Sequence, residues 1–544
     1  MLIYRVIRLL PVFGLVYATS AYGVDGGQAP TEYAKAMLKE RLEKNPVAIS
    51  AQHTALKKFY KSRDYQLAWT TSAGENAACS GALVAAIQNA DTHGLEAEDY
   101  AALIARFEQT PASSQDPAQL MERDVALTEA ALRYIGDLGG ARLNPKSINK
   151  ELFINPDPIN ADAALTKGAS SQDCGWVEAL APQTKDYAAL RSHLAELRAR
   201  EKQNIPQSPL VLHKGETLEK GEQNERIDVL KARLVQEGYL SPEAAKIAAF
   251  DEATFEAVKR FQVEHGIEPD GVVGPSTAER LNQTIADRIK QVIVSMERQR
   301  WLPRNMGERY IMVNIAGFYL EAYERGQKAF DMRVVIGRKY RRTPVFSSII
   351  NQVRFNPPWN VPSGIYHKDK LPKIRRDPSF INRSNFIVRD SAGNRVDPAA
   401  VDWANEGGSY RLTQLPGEKN ALGKVRLNIV NPFDVYMHGT PDQNLFDKAV
   451  RNYSSGCIRL EHPEDVAVFV LNDPVKWPKE VVLQNMEGTT TRNVNLTHPV
   501  NVHITYSTVW MDNAGKLRIV PDIYGQDQQI WQALLERQQK AKKS

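Results

Sequence analysis

The chain has 544 residues, with 69 Lys and Arg against 64 Asp and Glu, a formal net charge of +5. With 42% hydrophobic and 24% charged residues it has the composition of a folded protein, and its length calls for about three or four domains rather than one core. The small positive excess is too weak to argue for nucleic acid and fits only loose attraction to an anionic polymer.

At the N-terminus, Arg5 and Arg8 precede an apolar run from Leu9 to Ala18 and small residues around Ser20, Ala21 and Gly23. That order is the signature of a secretory signal peptide, expected over residues 1–23 with removal near Ala21 to Gly23. The run is short for a membrane span, and no later segment has the length and apolarity of one. The mature protein is therefore expected to be exported, without a stable membrane span. The three cysteines, Cys79, Cys174 and Cys457, have no metal-site spacing. In an oxidising compartment Cys79 and Cys174, both in the N-terminal third, can pair and leave Cys457 over; three separate thiols is the alternative.

Residues 31–205 are rich in Ala, Leu and Glu and carry short helical periods, such as Leu127, Ala130, Ala131, Tyr134 and Leu138. They predict a helical domain in which His93-Gly94-Leu95 marks a helix end closed by Gly94. From 212 to 286 the pattern is of three short helices. Ile227, Leu230 and Leu234 lie on the first, Asp251 caps the second, and turns at Gly266, Asp270-Gly271 and Gly274-Pro275 lead into the third.

From Tyr310 the period changes to that of strands, at Tyr310–Ile315, Phe318–Tyr323 and Phe330–Ile336. Later strands are expected at Arg426–Val430, Val435–His438, Val481–Gln484 and Val500–Thr508. The fold class is thus multidomain α+β: a helical N-terminal region, a three-helix module and a mainly β domain over 308–525, with a C-terminal helix or tail over 526–544. Between Pro357 and Gly423 lies an irregular stretch, too long for a simple loop. Trp359, Phe380, Phe386 and Trp403 argue that it packs as a lid (355–425).

The chemistry concentrates in Val435-Tyr-Met-His438-Gly-Thr440 and Arg451-Asn-Tyr-Ser454-Ser-Gly-Cys457-Ile-Arg459. A strand ends in His438, and Gly-flanked Cys457 follows at the mouth of a helix expected over Pro463–Leu471. Backbone N–H groups and a neighbouring imidazolium can stabilise a thiolate there. The amides of Gly456 and Cys457 can hold an oxyanion, and His438 can take the thiol proton. Taken singly, the cysteine reads as a small buried apolar residue, the histidine as structural and Arg459 as a salt-bridge partner. Their order in one short interval favours chemistry.

His438, fifteen residues, then Ser454-Ser455-Gly456-Cys457-Ile458-Arg459 resembles the signature of the L,D-transpeptidase family. Ser455 stands where many members carry a second His, as in the large Gram-negative branch. Asn356-Pro-Pro-Trp359, Val401-Asp-Trp403, Gln414-Leu-Pro416-Gly417 and Asn420-Ala-Leu-Gly423 are similar to that branch. Residues 212–286 resemble a peptidoglycan-binding three-helix domain, through Gly238-Tyr239, Phe261-Gln262 and Asp270-Gly271. The helical region resembles the branch's scaffold domain, through Tyr60, Tyr65 and Ala68-Trp69.

The resemblance implies a periplasmic, cell-wall-associated enzyme with Cys457 as nucleophile and His438 as general base and later acid. The donor is a peptidoglycan tetrapeptide stem and the acceptor the side-chain amine of a diamino acid on a second stem. The product is a 3→3 cross-link, no cofactor or metal is called for, and carbapenem-type β-lactams are the expected inhibitors. Arg459 holds a substrate carboxylate or braces the Cys457 loop. Tyr436, Ser454, Ser455, Gly439 and Thr440 line the substrate site, and Trp359, Arg411 and Asn420 belong to the lid. An L,D-carboxypeptidase that lets water resolve the thioester, and an inert wall-binding scaffold, are the alternatives.

Overall fold

The computed structural model describes residues 29–44, 51–140, 142–203, 206, 208–405, 407–512 and 514–541. The expected signal peptide lies outside the described residues. Among those residues no helix is long and apolar enough to cross a membrane.

The N-terminal region is helical, around the 22-residue helix Pro117–Leu138. Its sequence buries a polar anchor: Asp124 accepts the Tyr60 hydroxyl at 2.6 Å and the amides of Ala68 and Trp69 at 2.9 and 2.8 Å. This fixes how the Tyr60–Trp69 segment crosses the helix. His93 ends a short 3-10 turn closed by Gly94 at φ 65°. Its ring is spent on Tyr187 (3.0 Å) and Glu178 (3.1 Å), so the histidine is structural. Cys79 and Cys174 are joined by a disulfide.

The three-helix module comprises Glu225–Gln236, Glu252–Glu264 and Pro275–Leu281, with Asp251 capping the second helix through the Thr254 amide at 3.0 Å. Gln262 organises its turn: the side chain donates to Asp270 and Val272 O, both at 2.8 Å, and accepts the Gly271 amide at 2.8 Å. Helix Ile285–Trp301 then runs through the centre of the molecule and is buried on every side from Val292 to Trp301. Such a helix needs its charges paired; Arg300 meets Glu297 at 2.9 Å, and Glu297 also accepts the Trp301 indole at 3.1 Å.

The strands are β1 (Leu152–Phe153), β2 (Arg309–Asn314), β3 (Tyr319–Glu324), β4 (Gln327–Val335), β5 (Val345–Phe355), β6 (Trp359–Asn360), β7 (Phe386–Arg389), β8 (Arg395–Val396), β9 (Arg411–Gln414), β10 (Val425–Ile429), β11 (Met437–His438), β12 (Ile458–Leu460), β13 (Arg492–Thr505), β14 (Val509–Met511) and β15 (Leu517–Ile519). The large sheet runs β5-β10-β11-β12-β4-β3-β2-β13 and closes on itself through β13–β5 pairing. Val353, Leu427, Met437, Ile458 and Leu460 lie fully buried in its core. β1, from the helical region, adds to the edge of β5.

Two expectations fail. Val481–Gln484 belongs to helix Lys479–Met486, begun by Pro478. The Val-Val-Leu run is too short to separate strand from helix, and only Val482 is fully buried. The stretch expected to be irregular has its own four-stranded antiparallel sheet, β6-β9-β7-β8, and its own core of Trp359, Tyr366, Ile374, Ile381, Phe386, Val388, Trp403 and Leu412. Its strands span two to four residues, too few for an alternation to be legible.

Candidate active site

The geometry follows from one register. β11 and β12 are parallel, with Met437 opposite Ile458 and His438 opposite Arg459; the Ile458 amide donates to Tyr436 O at 3.1 Å. Because side chains alternate along a strand, Met437, Ile458 and Leu460 enter the core. Tyr436, His438, Cys457 and Arg459 turn to the other face, beneath the lid. Antiparallel β10 adds Arg426, opposite His438, to that face.

Cys457 is the free cysteine. Its thiol faces Asp434 O at 3.8 Å. The Tyr436 hydroxyl and amide stand beside its sulfur, and the Trp359 indole of the lid stands beside the same hydroxyl. Burial pushes the thiol pKa up; the Tyr436 hydroxyl and amide and the charges of Arg426 and Arg459 oppose this without cancelling it. His438 is 5% exposed, with Nδ1 2.5 Å from Gly439 O. Burial first, then the Arg459 charge, lowers its pKa to about 3. At neutral pH the pair therefore rests as thiol and neutral imidazole, and the imidazolium expected from the sequence is not its resting form.

Cys457 opens a strand rather than a helix: helix Pro463–Leu471 starts only after β12. Its turn is made by Gly456 at φ 116°, a backbone setting that favours glycine. The Gly456 amide donates to Ser454 Oγ at 3.1 Å and its carbonyl accepts Thr343 Oγ1 at 2.8 Å. Of the two expected oxyanion donors, the Gly456 amide is thus already engaged. Ser454 also donates to Cys457 O at 2.5 Å and is buried, so it braces the turn. Ser455 is exposed and accepts Arg341 at 3.0 Å.

Arg459 is tied to Asp442 at 2.8 Å and Thr440 Oγ1 at 3.3 Å, which leaves it bracing the loop after His438. Gly439 lies against Gly423, where a side chain at Gly423 would meet the Gly439 carbonyl carbon at 2.6 Å. The base of the lid therefore touches the histidine loop directly. Within the lid the expected residues part ways. Trp359 reaches the site. Asn420 is buried and knits the lid's base, donating to Pro357 O and Leu415 O at 3.0 Å each. Arg411 is exposed on β9, opposite Arg389.

The sequence reading missed Arg426, Asp442 and the lid residues Asp369 and Lys370. Arg426 stacks over Tyr436, 4.1 Å from the ring centroid. Lys370 sits 5.3 Å over Trp359. Only the alternation of Arg426 with buried Val425 and Leu427 hinted at a polar face on β10. Of the described residues, His462, Glu464 and Asp465 come close enough to share a cation, but His462 is exposed and Asp465 is paired with Lys479 at 2.7 Å.

Residues 308–492 match the L,D-transpeptidase catalytic domain, residues 54–194 a scaffold domain, and residues 223–281 a "putative peptidoglycan binding domain". The chain thus carries an L,D-transpeptidase catalytic domain over residues 308–492. A curated relative, a "putative L,D-transpeptidase" of Haemophilus influenzae, is 37% identical over 224 residues. That match covers 40% of this chain and 45% of the relative, less than half the length of either. Among solved structures, an L,D-transpeptidase from Mycobacterium smegmatis is 14% identical, with 36% of this chain and 58% of that one covered and a TM-score of 0.19. L,D-transpeptidase 3 from Mycobacterium tuberculosis, in complex with a faropenem-derived adduct, is 13% identical, with 36% and 60% covered and a TM-score of 0.19.

Proposed function

We propose that this chain is a periplasmic enzyme that cross-links peptidoglycan stems through a thioester on Cys457. The shared face of β11 and β12 carries the reading, since it gives sulfur, imidazole and the Tyr436 hydroxyl one common side beneath the lid. The Gly439 carbonyl holds His438 Nδ1 as the protonated nitrogen, which leaves Nε2 to accept the thiol proton. Thiol and imidazole both favour their neutral forms here, so the proton moves as sulfur bonds to carbon rather than beforehand.

Sulfur attacks the L-centre carbonyl of the third stem residue, a diamino acid, and the Cys457 amide receives the developing oxyanion. The C–N bond to the terminal D-alanine breaks, and its amine leaves with the proton held by His438. The side-chain amine of a second stem then attacks the thioester. His438 takes its proton and returns one to the sulfur, and the free thiol and a 3→3 amide result. Residues 31–205 form the scaffold, 212–286 the wall-binding module and 308–525 the catalytic domain.

The test is a digest of purified sacculi after incubation with the full chain, read by mass spectrometry. Wild type should give dimers linked through two diamino acids, and Cys457→Ala should give none. Tripeptides without such dimers would identify a carboxypeptidase instead. A carbapenem should add one mass adduct to wild type and no equally stable adduct to Cys457→Ser. An unlabelled wild type would favour an inert scaffold.

A further inference from the structure

The lid carries one charge that the reaction described above does not use. Ahead of helix Leu371–Arg376 the chain makes a π-helical turn, Tyr366–Lys370, a wider winding often found at functional positions. It sends two neighbouring residues different ways. Asp369 meets Arg341 of the β4–β5 loop at 3.1 Å, whereas Lys370 turns into the lid's aromatic cluster. Its ammonium stands 5.3 Å from the ring centroid of Trp359, 5.5 Å from Phe386 and 5.7 Å from Phe380. Ring faces attract a cation and hold it in place, but they accept none of its three N–H bonds in the way an oxygen does. Among the described residues no hydrogen bond or ion pair reaches this ammonium.

Its neighbours place it beside the reacting groups. Trp359, under the ammonium, stands next to the Tyr436 hydroxyl, and that hydroxyl stands next to the Cys457 sulfur. The charges of Arg459 and Asp442, at the loop after His438, both act on Lys370. The other cations around the site are engaged. Arg459 is paired with Asp442 at 2.8 Å, Arg341 with Asp369, and Arg426 lies on Tyr436 and donates to Asn428 at 3.2 Å. Burial, and then the charge of Lys373, lower the Lys370 pKa. A half-buried cation in this state gains most from an arriving anion.

We infer that Lys370 is a specificity residue that takes a carboxylate of the donor stem and selects stems bearing that group free over stems bearing it as an amide. This deepens the reading of the chain as a stem-cleaving enzyme and rests on it. A donor offers two such groups near the scissile bond, one on the terminal D-alanine and one on a diamino acid that bears a second carboxyl. The chemistry at Lys370 is the same for both.

The experiment is single-turnover release of the terminal residue by the full chain from three synthetic tetrapeptides. One has both carboxylates free, one ends in D-alaninamide, and one is amidated at the second carboxyl of the diamino acid. Lys370→Met keeps an unbranched apolar stem among the rings and removes the charge. It should lower the second-order rate constant for the free stem about tenfold or more, the loss of one charge-assisted contact, and Lys370→Arg should recover part of it. One of the two amidated stems should react with wild type and Lys370→Met at the same reduced rate, which names the carboxylate. A lid merely unseated by the substitution would slow all three stems by one factor and alter iodoacetamide alkylation of Cys457, and that result would overturn the assignment. So would equal rates for wild type and Lys370→Met on the free stem. Wild type that releases nothing from any stem, yet is alkylated at Cys457, would overturn the stem-cleaving reading itself and the role of Lys370 with it.

Discussion

A cysteine that opens a β-strand lacks the row of free amides a helix start offers its anion. Cys457 depends instead on the Tyr436 hydroxyl and amide, and on the charges of Arg426 and Arg459. Its alkylation should therefore rise through the alkaline range, with a midpoint above the ~8.5 of a free thiol. No acid limb should appear near pH 6.5, because His438 stays neutral down to about 3. Tyr436→Phe removes the hydroxyl donor, so it should move the alkylation midpoint further up and slow carbapenem acylation about tenfold or more. Stopped-flow acylation against pH measures both, and a profile identical to wild type would remove Tyr436 from the site. At this scale the sequence was most legible where chemistry is tied to residue type: Cys457 and His438 stand out in it. Arg426 did not, because only the pairing of β10 with β11 makes it a neighbour of His438.

The lid is the element the sequence described least well, because strands of two to four residues carry too little pattern to predict. It has its own core, but two ties hold it over the site. One is the Trp359 indole beside the Tyr436 hydroxyl. The other is Asp369, which pairs with Arg341 (Oδ1 to Nη2 3.1 Å) while that arginine also reaches Ser455 at 3.0 Å. Solvent-accessible pairs of this kind contribute about 1 kcal/mol or less. Asp369→Asn should thus leave the melting temperature nearly unchanged while hydrogen exchange over residues 359–423 speeds up and amides in the barrel strands do not. Unaltered exchange in the lid would show that the pair does not hold it closed.

Across the whole molecule the helical and β regions share one continuous core. β1 leaves the helical region to join β5, Arg342 pairs with Glu151 at 3.0 Å, and the C-terminal helix returns to place Arg537 3.6 Å from Asp99. The Cys79–Cys174 bridge closes a loop with a sequence separation of 95 residues inside this assembly. Reduction should cost about 2–4 kcal/mol through the freedom it returns to the unfolded chain. Calorimetry with and without reductant should show a lower melting temperature, and Cys79→Ser with Cys174→Ser should reproduce it. Loss of only the helical transition would contradict the shared core.

By itself, the amino-acid sequence determined what is local or tied to residue type. It carried the helical periods, the caps at Asp251 and Gly94, the change to strands near Tyr310, and the His438-to-Cys457 interval. Tertiary structure alone decided the protonation of the pair, the loss of the Gly456 amide to Ser454, and the tie of Arg459 to Asp442. It also decided that the lid folds. Each of these depends on burial and on neighbours distant in sequence. Desolvation and hydrogen-bond geometry exist only once the chain has closed around a group.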